Sequence, residues 1–174
     1  AHVDRISWLS PEQFASGDFT FNGCLYSNEL IDALPVHRVL MAADGLRELY
    51  VTLREGEFVE EIGELSTPKI EEYLKRIAVE LHPGQQAEIN LNAPEWLASA
   101  SRALRRGFVL TVDYGYLAQE MYTPRRTQGT LLCYHRHQTE ENPYIRLGLQ
   151  DITTHVDFTT LMKCGEELGL QNVW

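Results

Sequence analysis

The sequence predicts an α/β fold built on an open sheet, and three stretches predict it. Residues 19–27 (Phe-Thr-Phe-Asn-Gly-Cys-Leu-Tyr-Ser) read as a short buried strand that gives way to polar residues at Asn28. A helix running to Arg105-Arg106-Gly107 passes into the continuous apolar run Phe108–Val112 and then Asp113-Tyr114-Gly115. Helix, glycine, apolar strand and polar turn is the rhythm of an open α/β sheet, whose strands are covered on both faces. Residues 36–62 alternate as antiparallel strands do, with turns at Asp44-Gly45 and Glu55-Gly56, which is a β-meander pattern.

Taken in order, Asn28 can cap a short helix whose first turn holds Glu29 and Asp32, and Pro35 stops it after about two turns. Thr67 caps a second helix with Pro68 at its first position; Ile70, Tyr73, Leu74, Ile77, Ala78 and Leu81 form its apolar stripe, and His82-Pro83-Gly84 ends it. A third helix begins near Asn92, with Glu95 at capping-box spacing, and its cations and glycine at 105–107 suit a helix C-terminus. Residues 116–150 are loop-rich, with one extended segment at 129–134. A last helix spans about 158–168, capped by Asp157 and closed by Gly169, and a further strand is expected to begin at Val173-Trp174.

The chain has 174 residues, with 15 Lys and Arg against 25 Asp and Glu and a net charge of −10. That length can bury a sizeable core. The acidic balance argues against nucleic-acid partners and an anionic membrane surface. No 18-residue apolar run occurs, so neither a signal peptide nor a membrane span is expected. Three widely spaced cysteines, Cys24, Cys133 and Cys164, offer no disulfide framework or cysteine zinc site and suit a reducing compartment. The absent initiator Met and the final Val173-Trp174 read as the ends of a fragment of a longer protein.

Ligands of parallel α/β sheets bind outside the carboxyl ends of the strands. Two strands deliver polar residues there: Ser27-Asn28-Glu29 and Asp113-Tyr114-Gly115. Glu29 and Asp32, three apart on a helix, would share a face and could orient a guanidinium or amine, or serve only as helix-start electrostatics. Asp113 is either a ligand contact or a turn former. Asp151-Ile-Thr-Thr-His155-Val-Asp157 leads into a helix N-terminus and suits a substrate contact, though capping alone explains Asp157. Arg125-Arg126 could hold an anion or be a solvated loop pair. His135-Arg136-His137 would put both histidines on one side of a strand, but no third ligand is near, so exposed loop-edge residues are the better reading and no metal is expected. No G-x-G, P-loop, G-x-S-x-G or H-E-x-x-H motif is present.

Four blocks carry a resemblance: Tyr26-Ser-Asn-Glu-Leu-Ile-Asp-Ala-Leu-Pro-Val-His-Arg38, Val112-Asp-Tyr-Gly-Tyr116, Arg126-Thr-Gln-Gly-Thr-Leu-Leu-Cys-Tyr-His-Arg-His137 and Gln150-Asp-Ile-Thr-Thr-His-Val-Asp-Phe158. In this order over almost the whole chain they resemble the MidA-like class I S-adenosylmethionine-dependent methyltransferases, a family related to the mitochondrial arginine methyltransferase that assists complex I assembly. The resemblance implies a Rossmann-like methyltransferase sheet with a β-rich insertion. Residues 1–35 and 93–174 then belong to the methyltransferase domain, and residues 36–92, the meander and its helix, form the insertion. The family's glycine-rich cofactor loop would precede Ala1, so the chain resembles the second half of such an enzyme, partial and inactive alone.

The implied cofactor is S-adenosylmethionine and the implied acceptor a protein arginine. Glu29 and Asp32 are the expected catalytic carboxylates, Glu29 foremost in orienting the substrate. Asn28 is the expected cofactor contact, and Asp113, Tyr114, His155 and Asp157 the substrate contacts. The apolar strands are expected to be covered by the missing N-terminal half, a second chain or a homodimer partner. The expected compartment is the cytoplasm, or the mitochondrial matrix in a eukaryote. The competing expectation is a non-enzymatic binding or assembly module on the same scaffold.

Overall fold

The computed structural model of the protein describes residues 6–173 and is a mixed α/β structure. After α1 (Pro11–Ser16) and β1 (Phe21–Asn28) come β2 (His37–Ala42), β3 (Gly45–Arg54), β4 (Glu57–Gly63), α2 (Lys69–Ile77) and β5 (Gln86–Ile89). Then follow α3 (Asn92–Ala103), β6 (Leu104–Val112), β7 (Gly115–Tyr116), α4 (Ala118–Met121), β8 (Leu132–His135), β9 (Gln138–Glu140), β10 (Asp151–Thr153), β11 (Val156–Asp157) and α5 (Phe158–Glu167). The Trp174 end of the expected last strand lies outside the described residues. Among those described, no helix is long and apolar enough to cross a membrane.

The expected meander is present. Strands β2, β3 and β4 pair antiparallel in sequence, and β5, a strand not expected from the sequence, closes the order β4-β3-β2-β5. Glu55 (φ 52°) and Gly56 (φ 85°) form the β3–β4 turn, the left-handed pair of a tight hairpin. One face of this sheet is sealed by α2: Ile70, Tyr73, Leu74 and Ile77 pack with Val39, Ala87, Ile89 and with Met121 and Tyr122 from beyond β6. The helix begins one residue later than expected, with Pro68 in the N-cap position, and Thr67 Oγ1 accepts the Lys69 N–H at 3.3 Å. The helix stops at Ala78 in the left-handed region (φ 55°), before the expected His82, although Leu81 still reaches the core.

The parallel pair β1–β6 positions the site. Its register joins Gly23 to Gly107, Tyr26 to Leu110 and Asn28 to Val112. One expectation fails on it. Arg105-Arg106-Gly107 is not a helix end: α3 stops at Ala103 and the chain enters β6 directly, because the backbone of 104–107 is taken up by pairing with β1. Phe108, Leu110 and Val112 are 63, 50 and 48 % exposed, which leaves this face open to the cover expected from a further segment or chain. The start of α3 also differs, for Asn90 replaces the Glu95 capping box: its Oδ1 accepts the N–H groups of Asn92 (3.1 Å) and Ala93 (2.9 Å). A capping box does exist at α1, where Ser10 and Gln13 bond reciprocally ahead of Pro11. Asp157 caps α5 as expected, accepting from the backbone of Thr159 and Thr160.

The helix expected from Asn28 to Pro35 is absent. Strand β1 runs through Asn28, Glu29 turns into the left-handed region (φ 47°), and residues 29–34 form an irregular turn. Distant side chains replace the helical bonds: Asp113 Oδ2 accepts from Ile31 N at 2.9 Å and Asp32 N at 3.3 Å, while Asn90 Nδ2 donates to Ile31 O and Asn92 Nδ2 to Pro35 O. With donors and acceptors already satisfied, the segment gains nothing by coiling. Ile31 is the anchor, fully buried against Ala93 and Val156.

Candidate active site

The carboxyl ends of β1 and β6 lie side by side, and the Glu29 N–H extends their ladder by donating to Val112 O at 2.9 Å. Three carboxylates gather at this edge. Asp113 is spent internally, since Oδ2 holds the Ile31 and Asp32 amides and Oδ1 accepts the Tyr114 N–H at 2.9 Å. It braces the loop. Glu29 is exposed, and Tyr114 Oη donates to its Oε1 at 3.1 Å; that bond, with Glu29's charge, pushes the Tyr114 phenol up. Oε2 has no intramolecular partner among the described residues.

Asp32 is the unusual member. It is only 4 % exposed, and its Oδ1 is buried without a hydrogen-bond partner among the described residues. Burial, then the charges of Asp113 and Glu29, raise its carboxyl above the ordinary range. Glu29 and Asp32 thus stand in one turn braced by Asp113 and not on the face of a helix. Asn28 is exposed at the last position of β1, with Tyr26 Oη donating to its Oδ1 at 3.2 Å.

A buried carboxylate without a compensating partner destabilises its own fold. A carboxyl raised in the folded state binds its proton more tightly there than in the unfolded chain. The stability it withholds is therefore absent in acid and grows as pH rises through the interval between the ordinary and folded values. Asp32→Asn is expected to raise the thermal midpoint by a few degrees at neutral pH and to leave it unchanged near pH 3. Melting curves at the two pH values check this, and a lower neutral midpoint for the variant would contradict it.

The segment 154–156 straps this edge. Thr154 N donates to Asp32 O at 2.9 Å and Val156 N to Tyr114 O at 2.8 Å, so His155 is carried between the two. Its Nδ1 is buried without a partner among the described residues, and its ring lies 5.2 Å from that of Tyr116. Burial followed by the charge of Arg126 pushes its imidazole down. Asp157 is different. It is buried, its Oδ1 caps α5 and its Oδ2 accepts from Tyr73 Oη (3.0 Å) and Thr160 Oγ1 (2.7 Å), which ties α2 to α5. Both oxygens are committed to the scaffold.

His135 and His137 do not share a strand face. His137 (φ 64°) stands in the β8–β9 turn with Arg136 (φ 51°), and His135 Nδ1 lies 2.6 Å from Leu149 O. No cluster of three metal-ligating side chains occurs among the described residues. A groove of about 680 Å³ runs along β6 between α3 and α5, lined by residues such as Trp96, Phe108, Leu161 and Leu170. Its described lining carries no carboxylate, histidine or cysteine.

The family model described as S-adenosyl-L-methionine-dependent methyltransferase matches residues 1–174. A curated relative, the protein arginine methyltransferase NDUFAF7 homolog, mitochondrial, of Caenorhabditis elegans, is 30% identical over 151 residues, 78% of this chain and 32% of that protein. Two crystal structures of COG1565 superfamily members from Burkholderia thailandensis are each 32% identical. One, bound to S-adenosyl-homocysteine, has a TM-score of 0.79 over 86% of this chain and 38% of its own; the other, native, scores 0.82 over 95% and 43%. The chain thus spans about a third of the curated relative and about two fifths of the solved structures.

Proposed function

Since the chain belongs to the S-adenosyl-L-methionine-dependent methyltransferase family, we propose that it forms the acceptor side of such an enzyme, one that methylates arginine in a protein. The observation that carries the reading is an exposed carboxylate, Glu29, and a buried one whose Oδ1 has no partner among the described residues, Asp32, in the one turn that follows β1. Both favour a cationic group, and neither forms an ion pair among the described residues. The similarity to an arginine methyltransferase and to a structure holding S-adenosyl-homocysteine supports it.

The residues present fit one flank of that cofactor. They supply a polar strand end at Asn28, and the glycine turn of the usual loop does not occur in this sequence. When bound, S-adenosylmethionine supplies an electrophilic methyl group, so that little covalent work is left to the protein. Glu29 then aligns the acceptor by charge-assisted hydrogen bonds to the guanidinium. Tyr114 fixes one oxygen of Glu29 and leaves Oε2 to face the substrate. The nitrogen that gains the methyl must lose one N–H proton, and the carboxylate beside it can accept that proton or pass it to water. Asp113 holds the loop in register, and Asp32 adds negative potential from within.

In this reading β1 and β6 are neighbours in a Rossmann-like sheet that the rest of the enzyme completes, residues 36–92 are an insertion, and the cytoplasm or the mitochondrial matrix is the compartment. The test uses the complete protein that contains this chain. It is incubated with labelled S-adenosylmethionine and arginine-containing acceptor proteins, and the product is hydrolysed to amino acids. Label in methylarginine is the expected result; label confined to methyl-lysine or to base-labile methyl esters would overturn the reading.

A further inference from the structure

Beside the acidic edge stands a cation with no anion. Arg126 is half-buried, with its guanidinium 4.6 Å from the centroid of the Tyr116 ring, and the His155 ring lies tilted against the same ring. One nitrogen, Nη1, donates to Met121 O at 3.2 Å, and no carboxylate forms an ion pair with Arg126 among the described residues. Other half-buried arginines behave differently. Arg38 is paired with Glu60, and Arg47 bridges Asp44 and Glu64. In a chain with ten more acidic than basic side chains, a positioned guanidinium left without a carboxylate is not explained by scarcity of partners.

Its geometry is prepared. The Met121 carbonyl and the Tyr116 face hold the guanidinium plane, and the Nε–Nη2 edge has no intramolecular acceptor among the described residues. That edge is one a carboxylate meets with two parallel N–H···O bonds. Next to it His155 keeps a buried Nδ1 without a partner. Its own chain neighbours, Thr154 and Val156, are the ones bonded to Asp32 and Tyr114, so the cation adjoins the carboxylate edge through a single strap.

We propose that Arg126, Tyr116 and His155 form a carboxylate-binding subsite at the margin of the acceptor face. Arg126 supplies the fork, Tyr116 its flat support, and His155 a second polar contact. Two sources fit the chemistry: an acidic side chain of the acceptor protein next to its reactive residue, or the amino-acid carboxylate of the cofactor. The assignment of source rests on the methyltransferase reading above; the subsite itself does not.

The experiment has two arms, both on the complete protein, with Arg126→Gln as the variant because glutamine can still donate to Met121 O. In the first, the His155 ring signals are followed by NMR during titration with acetate and, separately, acetamide. Acetate is expected to shift them saturably in the wild type and not in Arg126→Gln, and acetamide in neither. Equal responses to both, or an acetate response retained by the variant, would overturn the subsite whatever reaction the protein performs. In the second, calorimetry measures S-adenosylhomocysteine and methylthioadenosine, which lacks the amino-acid end, and kinetics measure KM for acceptors with an acidic residue or its amide near the arginine. A rise of at least about tenfold in KM for the acidic acceptor alone assigns the carboxylate to the acceptor, and an equal loss for S-adenosylhomocysteine alone assigns it to the cofactor. If Arg126→Gln moves neither, both named sources are wrong, and the acetate arm alone decides the subsite.

Discussion

Glu29→Gln lowers methyl transfer to an arginine acceptor by at least about tenfold, which corresponds to about 1.4 kcal/mol of barrier. The substitution removes charge and little else. Gln keeps the length, tolerates the left-handed backbone as Glu does, and preserves an oxygen for the Tyr114 hydroxyl. Glu29 is exposed, so stability should change by no more than about 0.5 kcal/mol. Cofactor affinity should not move, because in this account the Glu29 carboxylate engages the acceptor's guanidinium and not the cofactor. Steady-state kinetics with labelled cofactor, alongside a cofactor titration, separate these effects. An unchanged rate would reduce Glu29 to a solvated turn carboxylate.

Gly107→Ala is expected to be the most damaging change to the scaffold, costing at least about 3 kcal/mol of stability. A Cβ at Gly107 would stand 1.7 Å from the carbonyl oxygen of Gly23, its partner in the β1–β6 register, and its φ of 144° disfavours any side chain. The collision is with backbone, so no rotamer change relieves it; the strands must separate, carrying Asn28 and Glu29 away from Asp113. Gly23→Ala meets only the Phe21 ring, at 3.7 Å, and should cost about 1 kcal/mol for its backbone conformation. Urea denaturation of both variants in the complete protein gives the comparison. Equal losses would mean that the close approach at Gly107 is relaxed cheaply.

Much of the scaffold is legible in the sequence because its signals are local. The turns of the meander, the apolar stripe from Ile70 to Ile77 and the Asp157 cap each lie within a few residues of what they determine. The α1 capping box, Ser10 with Gln13 behind Pro11, is local in the same way, although no expectation was built on it. The 28–35 segment departs from expectation for a different reason. Its helical signals are real, but Asp113 and Asn90, 82 and 59 residues away from Ile31, supply its hydrogen bonds instead. The same holds at Leu104–Gly107, where β1 overrides the C-terminal helix signature.

The site is legible in part. Asn28, Glu29 and Asp113 stand out because strand ends in α/β sheets present ligand contacts. What each carboxylate does is not in the spacing. Asp113 as brace, Asp32 as buried and unpartnered, and Asp157 as a scaffold tie all depend on partners distant in sequence. The approach of Arg126 and His155 to one tyrosine ring is likewise a product of folded loops.

The carboxylates of the turn that follows β1, Glu29 above all, select a cationic acceptor. The most direct measurement is calorimetric binding of an acceptor peptide carrying arginine, and of the same peptide carrying the neutral isostere citrulline, to the complete wild-type protein and to Glu29→Gln. The wild type should prefer arginine by at least about tenfold, and the preference should collapse in the variant, as expected when a charge-assisted hydrogen bond is removed. Equal affinity of the wild type for both peptides, or a preference undiminished in Glu29→Gln, would contradict it.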